Sequence, residues 1–133
     1  MEKSKLKLIF KNFEEALDRL EEALQENCEK NVLALDGSIQ RFEFCYELCW
    51  KSLKRALEME GISTKTPREV FKAVFKAGWL KEGDLFWEEM IEDRNETSHT
   101  YDHEIAMKIY NHLPRYLTAF QKLLSALKKR YVL

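Results

Sequence analysis

The feature that most narrows what this chain can fold into is a run of large apolar residues between Ile39 and Leu57 with almost nothing to interrupt it. Ile39, Phe42, Tyr46, Trp50, Leu53 and Leu57 step by three and four, the spacing that stacks side chains on one face of an α-helix. Phe44, Cys45, Leu48 and Cys49 add apolar surface beside that stripe. A helix that is greasy over more than one stripe belongs at the centre of a fold, touching several neighbours or a second copy. Leu6, Phe10, Phe13, Leu17, Leu20 and Leu24 repeat the pattern and predict a long first helix. Its other face carries Glu14, Glu15, Asp18, Glu21, Glu22 and Glu26, a solvated surface. Ile105, Ile109, Leu113, Tyr116, Leu117, Phe120, Leu123, Leu124 and Leu127 predict a long last helix, with Pro114 expected to kink or break it. Four Gly and two Pro leave little punctuation for a many-stranded sheet.

The remaining punctuation sets the helix ends. Residues 27–31 break the first pattern and predict a connection. The second helix is expected to start between Leu33 and Ser38 and to run to Met59, with Gly61 as the residue that closes it. Thr66, Pro67 and Glu69 form a capping-box start for a short third helix through Val70, Phe71, Val74 and Phe75, ended by Gly78. Trp79 and Leu80 are expected to fold back onto the core. Asp84 is expected to cap a fourth helix through Leu85, Trp87, Met90 and Ile91. The fold class predicted is all-α: one domain over residues 1–133, an up-and-down bundle of four longer helices plus one short helix.

Bulk properties exclude several classes. A net charge of −1 rules against a chain that binds polyanions over its whole surface. No run approaches the roughly 20 apolar residues of a membrane span, and Met1–Lys5 leads into an amphipathic segment, not a signal-peptide core. Three cysteines, Cys28, Cys45 and Cys49, are an odd count without framework spacing, which predicts a reducing, cytoplasmic setting. Charge is unevenly placed. Lys51, Lys54, Arg55, Lys65, Arg68, Lys72, Lys76 and Lys81 make the middle basic. Glu82, Asp84, Glu88, Glu89, Glu92, Asp93, Glu96, Asp102 and Glu104 reverse the sign. Both blocks are expected to be solvated faces, the alternative for the first being a patch that meets a polyanion or an acidic partner.

Between the fourth and last helices lies a stretch of different character, Glu92 to Tyr101, with Arg94, Asn95, His99 and Tyr101 in R-x4-H-x-Y order. On a straight helix Arg94 and Tyr101 nearly share a face, and Asn95, His99 and Asp102 share the next. Arg94 and His99 would point roughly 140° apart. To aim both at one target, the chain needs a helix end here, or a second copy. Histidine is the side chain whose charge changes nearest neutrality, and arginine is shaped to grip phosphate through parallel hydrogen bonds. Together at one phosphodiester they suffice for RNA cleavage without a metal: His99 as acid or base at the ribose 2′-hydroxyl or leaving oxygen, Arg94 stabilising the transition-state charge. Asn95 would orient the imidazole or donate to the phosphate. The plain alternative is a polar helix end capped by Asn95, Ser98 and Thr100. No metal or other cofactor is expected. His99 and His103 have ligand spacing, but no third ligand follows at a matching offset. Cys45 and Cys49 sit in the greasiest helix and are expected to be buried thiols. Glu43 and Glu47 share a face without the E-x-x-H partners of a di-metal site, which predicts a surface or interface role.

Two separated blocks carry a family resemblance that covers nearly the whole chain: Asp36 to Phe44 with Glu47, Trp50 and Lys51, and Met90 to Tyr101 with its R-x4-H-x-Y. The chain resembles the HEPN superfamily, in the branch of nucleotidyltransferase substrate-binding proteins. That resemblance implies a HEPN-like bundle that pairs as a homodimer, bringing Arg94 and His99 of two chains into one cleft. It implies a toxin–antitoxin partnership in which Arg94 and His99 cleave RNA and a separate minimal nucleotidyltransferase attaches AMP to Tyr101. A bulky anion there would occupy the phosphate site and repel RNA. The chain lacks the Gly-Ser…Asp-x-Asp pattern of such nucleotidyltransferases, so transfer chemistry belongs to the partner. The branch also implies a second reading: a non-catalytic subunit that binds nucleotide or substrate at Arg94, His99 and Tyr101 and docks on a nucleotidyltransferase chain.

Overall fold

The computed structural model describes residues 2–80 and 83–132. Met1, Lys81 and Glu82, named above at the N-terminus and in the two charge blocks, lie outside the described residues. Five α-helices follow in order, with no strand among the described residues: α1 (Glu2–Leu24), α2 (Val32–Met59), α3 (Pro67–Lys76), α4 (Asp84–Glu96) and α5 (His103–Tyr131). A 3-10 turn, Thr97–His99, stands between α4 and α5. None of these helices is long and apolar enough to cross a membrane.

Cross-helix contacts fix the directions. Arg41 Nη1 donates to the Arg19 carbonyl at 2.6 Å, and the end of α1 at Glu22 and Ala23 lies beside the start of α2 at Leu33 and Ala34, so α1 and α2 are antiparallel. Lys128 pairs with Glu14 and Gln121 with Glu21, which sets α5 antiparallel to α1. His112 meets Asp93 and Arg115 meets Glu89, so α4 opposes α5. The helices therefore alternate up and down as expected, with short α3 joining the second to the third long element. Central α2 packs on α1, α3 and α5. Its predicted stripe is the middle of the core: Ile39, Phe42, Tyr46, Leu53 and Leu57 are buried, while Trp50 packs against the core only partly buried.

Aromatic rings tie the layers together. Phe42 stacks on Tyr116 at 5.4 Å and lies near Phe120, which meets Phe13 edge-on at 5.8 Å. A second path runs from Phe42 through Tyr46, Phe71, Trp87 and Phe86 back to Tyr116. This closed circuit joins α2, α3, α4 and α5 and seats α4, the helix that ends in Arg94. Offset and edge-on ring pairs of this kind each add about 0.5–1.5 kcal/mol beyond burial.

The helix ends follow the local chemistry of the sequence. Gly61 and Gly78 adopt φ +81° and +79°. Each closes its helix with paired bonds to the last carbonyls, Gly61 to Glu58 and Ile62 to Leu57, Gly78 to Phe75 and Trp79 to Val74. Thr66 Oγ1 accepts from the Glu69 amide at 3.2 Å, and the Glu69 carboxylate accepts from Lys65 at 2.7 Å, one residue before the expected amide. Trp79 and Leu80 do fold back, with the Arg130 guanidinium 4.6 Å over the Trp79 ring.

Four expectations are corrected. The N-cap position of α4 falls on Gly83, not Asp84. Leu85 is 85% exposed, because two residues before buried Trp87 is about 200° around the helix. Phe75 is exposed, turned about 100° from buried Val74. Pro114 does not break α5, whose flanking Leu113 and Tyr116 are fully buried and hold the helix together across the missing amide.

Candidate functional site

The motif sits where α4 ends and α5 begins. The helix does not run straight through Arg94 to Tyr101, because three side-chain hydroxyls stop it. Thr97 Oγ1 donates to the Arg94 carbonyl at 2.6 Å, Ser98 Oγ to Asn95 and Thr100 Oγ1 to Thr97, both at 3.2 Å. Hydroxyls that take up helix carbonyls compete with the continuing backbone ladder. Asp102 then opens α5 by accepting from the amides of Glu104 and Ile105 at 2.9 and 3.3 Å. The required helix end is present.

The turn places the predicted residues unequally. His99 Nδ1 and the Tyr101 hydroxyl are 3.2 Å apart, their rings edge-on at 5.9 Å. The histidine tautomer decides which of the two donates. Tyr101 is 85% exposed, an open phenol beside an exposed imidazole. Asn95 lies exposed on the last turn of α4, and its carbonyl receives Ser98. Arg94 faces elsewhere. Its Nη1 donates to Thr97 Oγ1 at 2.8 Å and lies 3.4 Å from Glu43 Oε2, while Nη2 lies 4.0 Å from Glu47 Oε1. Within one chain, the partners of Arg94 and those of His99 do not overlap.

Two features of this site escape sequence reasoning. The pairing of Glu43 and Glu47 with Arg94 joins residues remote in the chain, and no local pattern signals it. Asp93 is a correction: counted above among solvated acids, it is only 2% exposed. Its carboxylate meets His112 Nδ1 at 2.7 Å and accepts from the Tyr116 hydroxyl. Tyr116 also reaches Glu89 at 3.4 Å, and Arg115 pairs with Glu89. Burial, followed by the bond to Asp93, holds the Tyr116 phenol well above its ordinary range, so it donates at any ordinary pH. A local signal for Asp93 did exist. Phe86, Met90, Asp93 and Thr97 step by four, three and four, the line of a helix face that packs inward. Donor atoms of Glu89, Asp93 and His112 lie within 4.8 Å of one another. Each is already engaged by a neighbour, and the Arg115 cation stands on Glu89, so the group is a hydrogen-bonded lock between α4 and α5. It fixes the backbone one residue before Arg94.

The two charge blocks partly neutralise each other, for Arg68 of α3 pairs with Glu88 of α4. Cys45 and Cys49 are buried free thiols as expected.

Comparison with known proteins identifies the family and the fold. The family model for "Nucleotidyltransferase substrate binding protein like" matches residues 8–129. The chain is 36% identical over 100 residues to the "Probable ribonuclease HepT" of Haemophilus influenzae, spanning 71% of this chain and 67% of that protein. A crystal structure from Thermus thermophilus superposes with a TM-score of 0.80 at 31% identity, covering 87% of this chain and 98% of the other. A second structure, from Haemophilus influenzae, is described as the fold of a substrate binding domain of a nucleotidyltransferase. It matches with a TM-score of 0.68 at 27% identity over 95% and 98% of the two chains. With its motif at the junction of two bundle helices and a family match over nearly its full length, this chain belongs to the nucleotidyltransferase substrate-binding protein family, a HEPN-type protein.

Proposed function

We propose that this chain is the HEPN half of a two-gene system with a minimal nucleotidyltransferase, a metal-independent ribonuclease silenced by nucleotide transfer to Tyr101. The observation that carries the reading is the pairing of an exposed imidazole with an exposed phenol, 3.2 Å apart, one short turn beyond Arg94. His99 takes the ribose 2′-hydroxyl proton, the 2′-oxygen attacks phosphorus, and the bond to the 5′-oxygen breaks as that oxygen takes a proton from solvent water, the resulting hydroxide being neutralised by the proton His99 then releases. Arg94 stabilises the charge that builds on the phosphoryl oxygens, and Asn95 donates to the same group or steadies the imidazole. A homodimer supplies the convergence that one chain lacks, by setting Arg94 and His99 of two copies in one cleft. Phe44, half exposed beside Glu43, offers apolar surface for such a pairing. A nucleotide on Tyr101 would break the contact to His99 and place phosphate where RNA must bind. The Haemophilus relative named a probable ribonuclease supports this reading.

The second reading is a non-catalytic subunit that holds nucleotide or substrate and docks on a nucleotidyltransferase. The description of the related Haemophilus fold favours it. RNA cleavage without added metal, by protein whose intact mass shows an unmodified Tyr101, separates the two. On the ribonuclease reading His99→Ala lowers the rate by about 10²–10⁴-fold with folding intact. An unmodified, dimeric sample that leaves RNA whole overturns that reading and leaves the accessory subunit.

A further inference from the structure

Arg94 is held from the side of α2. Its fork makes one hydrogen bond among the described residues, from Nη1 to Thr97 Oγ1, while Glu43 and Glu47 stand at ion-pair distances of 3.4 and 4.0 Å. Nε is buried without a partner, so the base of the guanidinium is turned inward. Glu47 is not a loose surface acid. Trp50 Nε1 donates to its Oε2 at 3.2 Å, and Lys51 Nζ lies 3.8 Å from the same oxygen. Glu43 and Glu47 are one helical turn apart, so the α2 backbone sets their spacing.

Charge and geometry act in opposite directions here. Two carboxylates beside one guanidinium leave the group with net negative charge, which Lys51 offsets. That arrangement does not strengthen attraction for an anion. A guanidinium, however, is a rigid plane of donors on a long flexible stem, and it grips phosphate only when the plane is aimed. An acid fixed by a tryptophan and a lysine supplies that aim.

We propose that Glu47, seconded by Glu43, is a positioning residue for Arg94, fixing the guanidinium plane so that its free N–H groups meet a phosphodiester. The proposal rests on the ribonuclease reading above and adds to it a control over turnover that lies outside the motif. It has a kinetic signature. Removing Glu47 relieves repulsion of the substrate, so KM stays level or falls, while lost alignment lowers kcat.

The test is steady-state cleavage of single-stranded RNA, without metal, by the full chain and by Glu47→Ala and Glu47→Gln variants. Glu47→Ala is repeated in an Arg94→Ala background. The expected result is a kcat lowered about ten- to hundredfold by Glu47→Ala with no rise in KM, and part of that loss restored by Glu47→Gln, which keeps an acceptor oxygen. In the Arg94→Ala background Glu47→Ala adds no further loss, because both act through one group. Unchanged kcat, or an equal loss in both backgrounds, overturns the proposal. Glu47 is only partly exposed, and unchanged melting temperatures confirm folding; were the alanine variant to unfold, the glutamine variant carries the comparison. A wild-type chain that cleaves nothing overturns the ribonuclease reading instead. Binding of a 2′-O-methyl oligoribonucleotide then decides the role of Glu47: affinity that responds to Glu47→Ala only when Arg94 is present supports positioning, and affinity indifferent to it rejects it.

Discussion

Tyr116 shows how much one hydroxyl does in this molecule. Its ring stacks on Phe42 in the core, and its oxygen donates to a carboxylate that is almost wholly buried. Tyr116→Phe keeps the ring and strands part of the Asp93 charge. A hydrogen bond to a buried charged group is worth about 1.5–3 kcal/mol, and that is the loss expected in urea unfolding. A Tyr116→Phe variant as stable as the parent would mean that His112 alone satisfies Asp93. The candidate site residues themselves were legible because R-x4-H-x-Y is local and unlike its surroundings. The ion pairs of Glu43 and Glu47 with Arg94 were not, because only the folded bundle brings the middle of α2 within side-chain reach of the end of α4.

At the scale of the element, the junction between α4 and α5 is the informative case. Apolar spacing located every helix, since burial of one face decides whether these segments hold together at all. Spacing said less about where α4 ends, and there the hydroxyls of Thr97, Ser98 and Thr100 decide. Leu85 and Phe75 were misplaced for a related reason: in short helices the apolar face is narrow, and one position shifts a side chain from core to solvent. Asp102 is the cap that restarts the chain after the turn. Asp102→Ala is expected to cost about 1 kcal/mol of stability, measured by thermal unfolding. It should also loosen the segment that holds His99 against Tyr101, seen as faster amide exchange at residues 99–105 with the rest of α5 unchanged.

For the whole molecule, the buried thiols of α2 set a limit on alkaline stability. Burial pushes Cys45 from an ordinary value near 9 up to about 12, and pushes Cys49 well upward too, with Cys45 beside it adding to the rise. The folded state thus favours neutral thiols. Below pH 9 both states keep their protons and the contribution is complete. Above it the unfolded chain releases protons that the fold retains, and stability falls by about 1.4 kcal/mol per pH unit for each thiol. Melting temperatures measured from pH 8 to pH 10.5 should decline, and more shallowly in a Cys45→Ala, Cys49→Ala variant. A decline of equal slope in both would place its cause elsewhere. The lock of Asp93, His112 and Tyr116 adds a consequence in time. A chain emerging from the ribosome makes Arg94 and His99 before it makes the two side chains that anchor α4 beside them. Until α5 has been synthesised and packed, the motif exists as sequence without a mount. Whatever the site does, it cannot be assembled on a chain whose α5 has yet to be made.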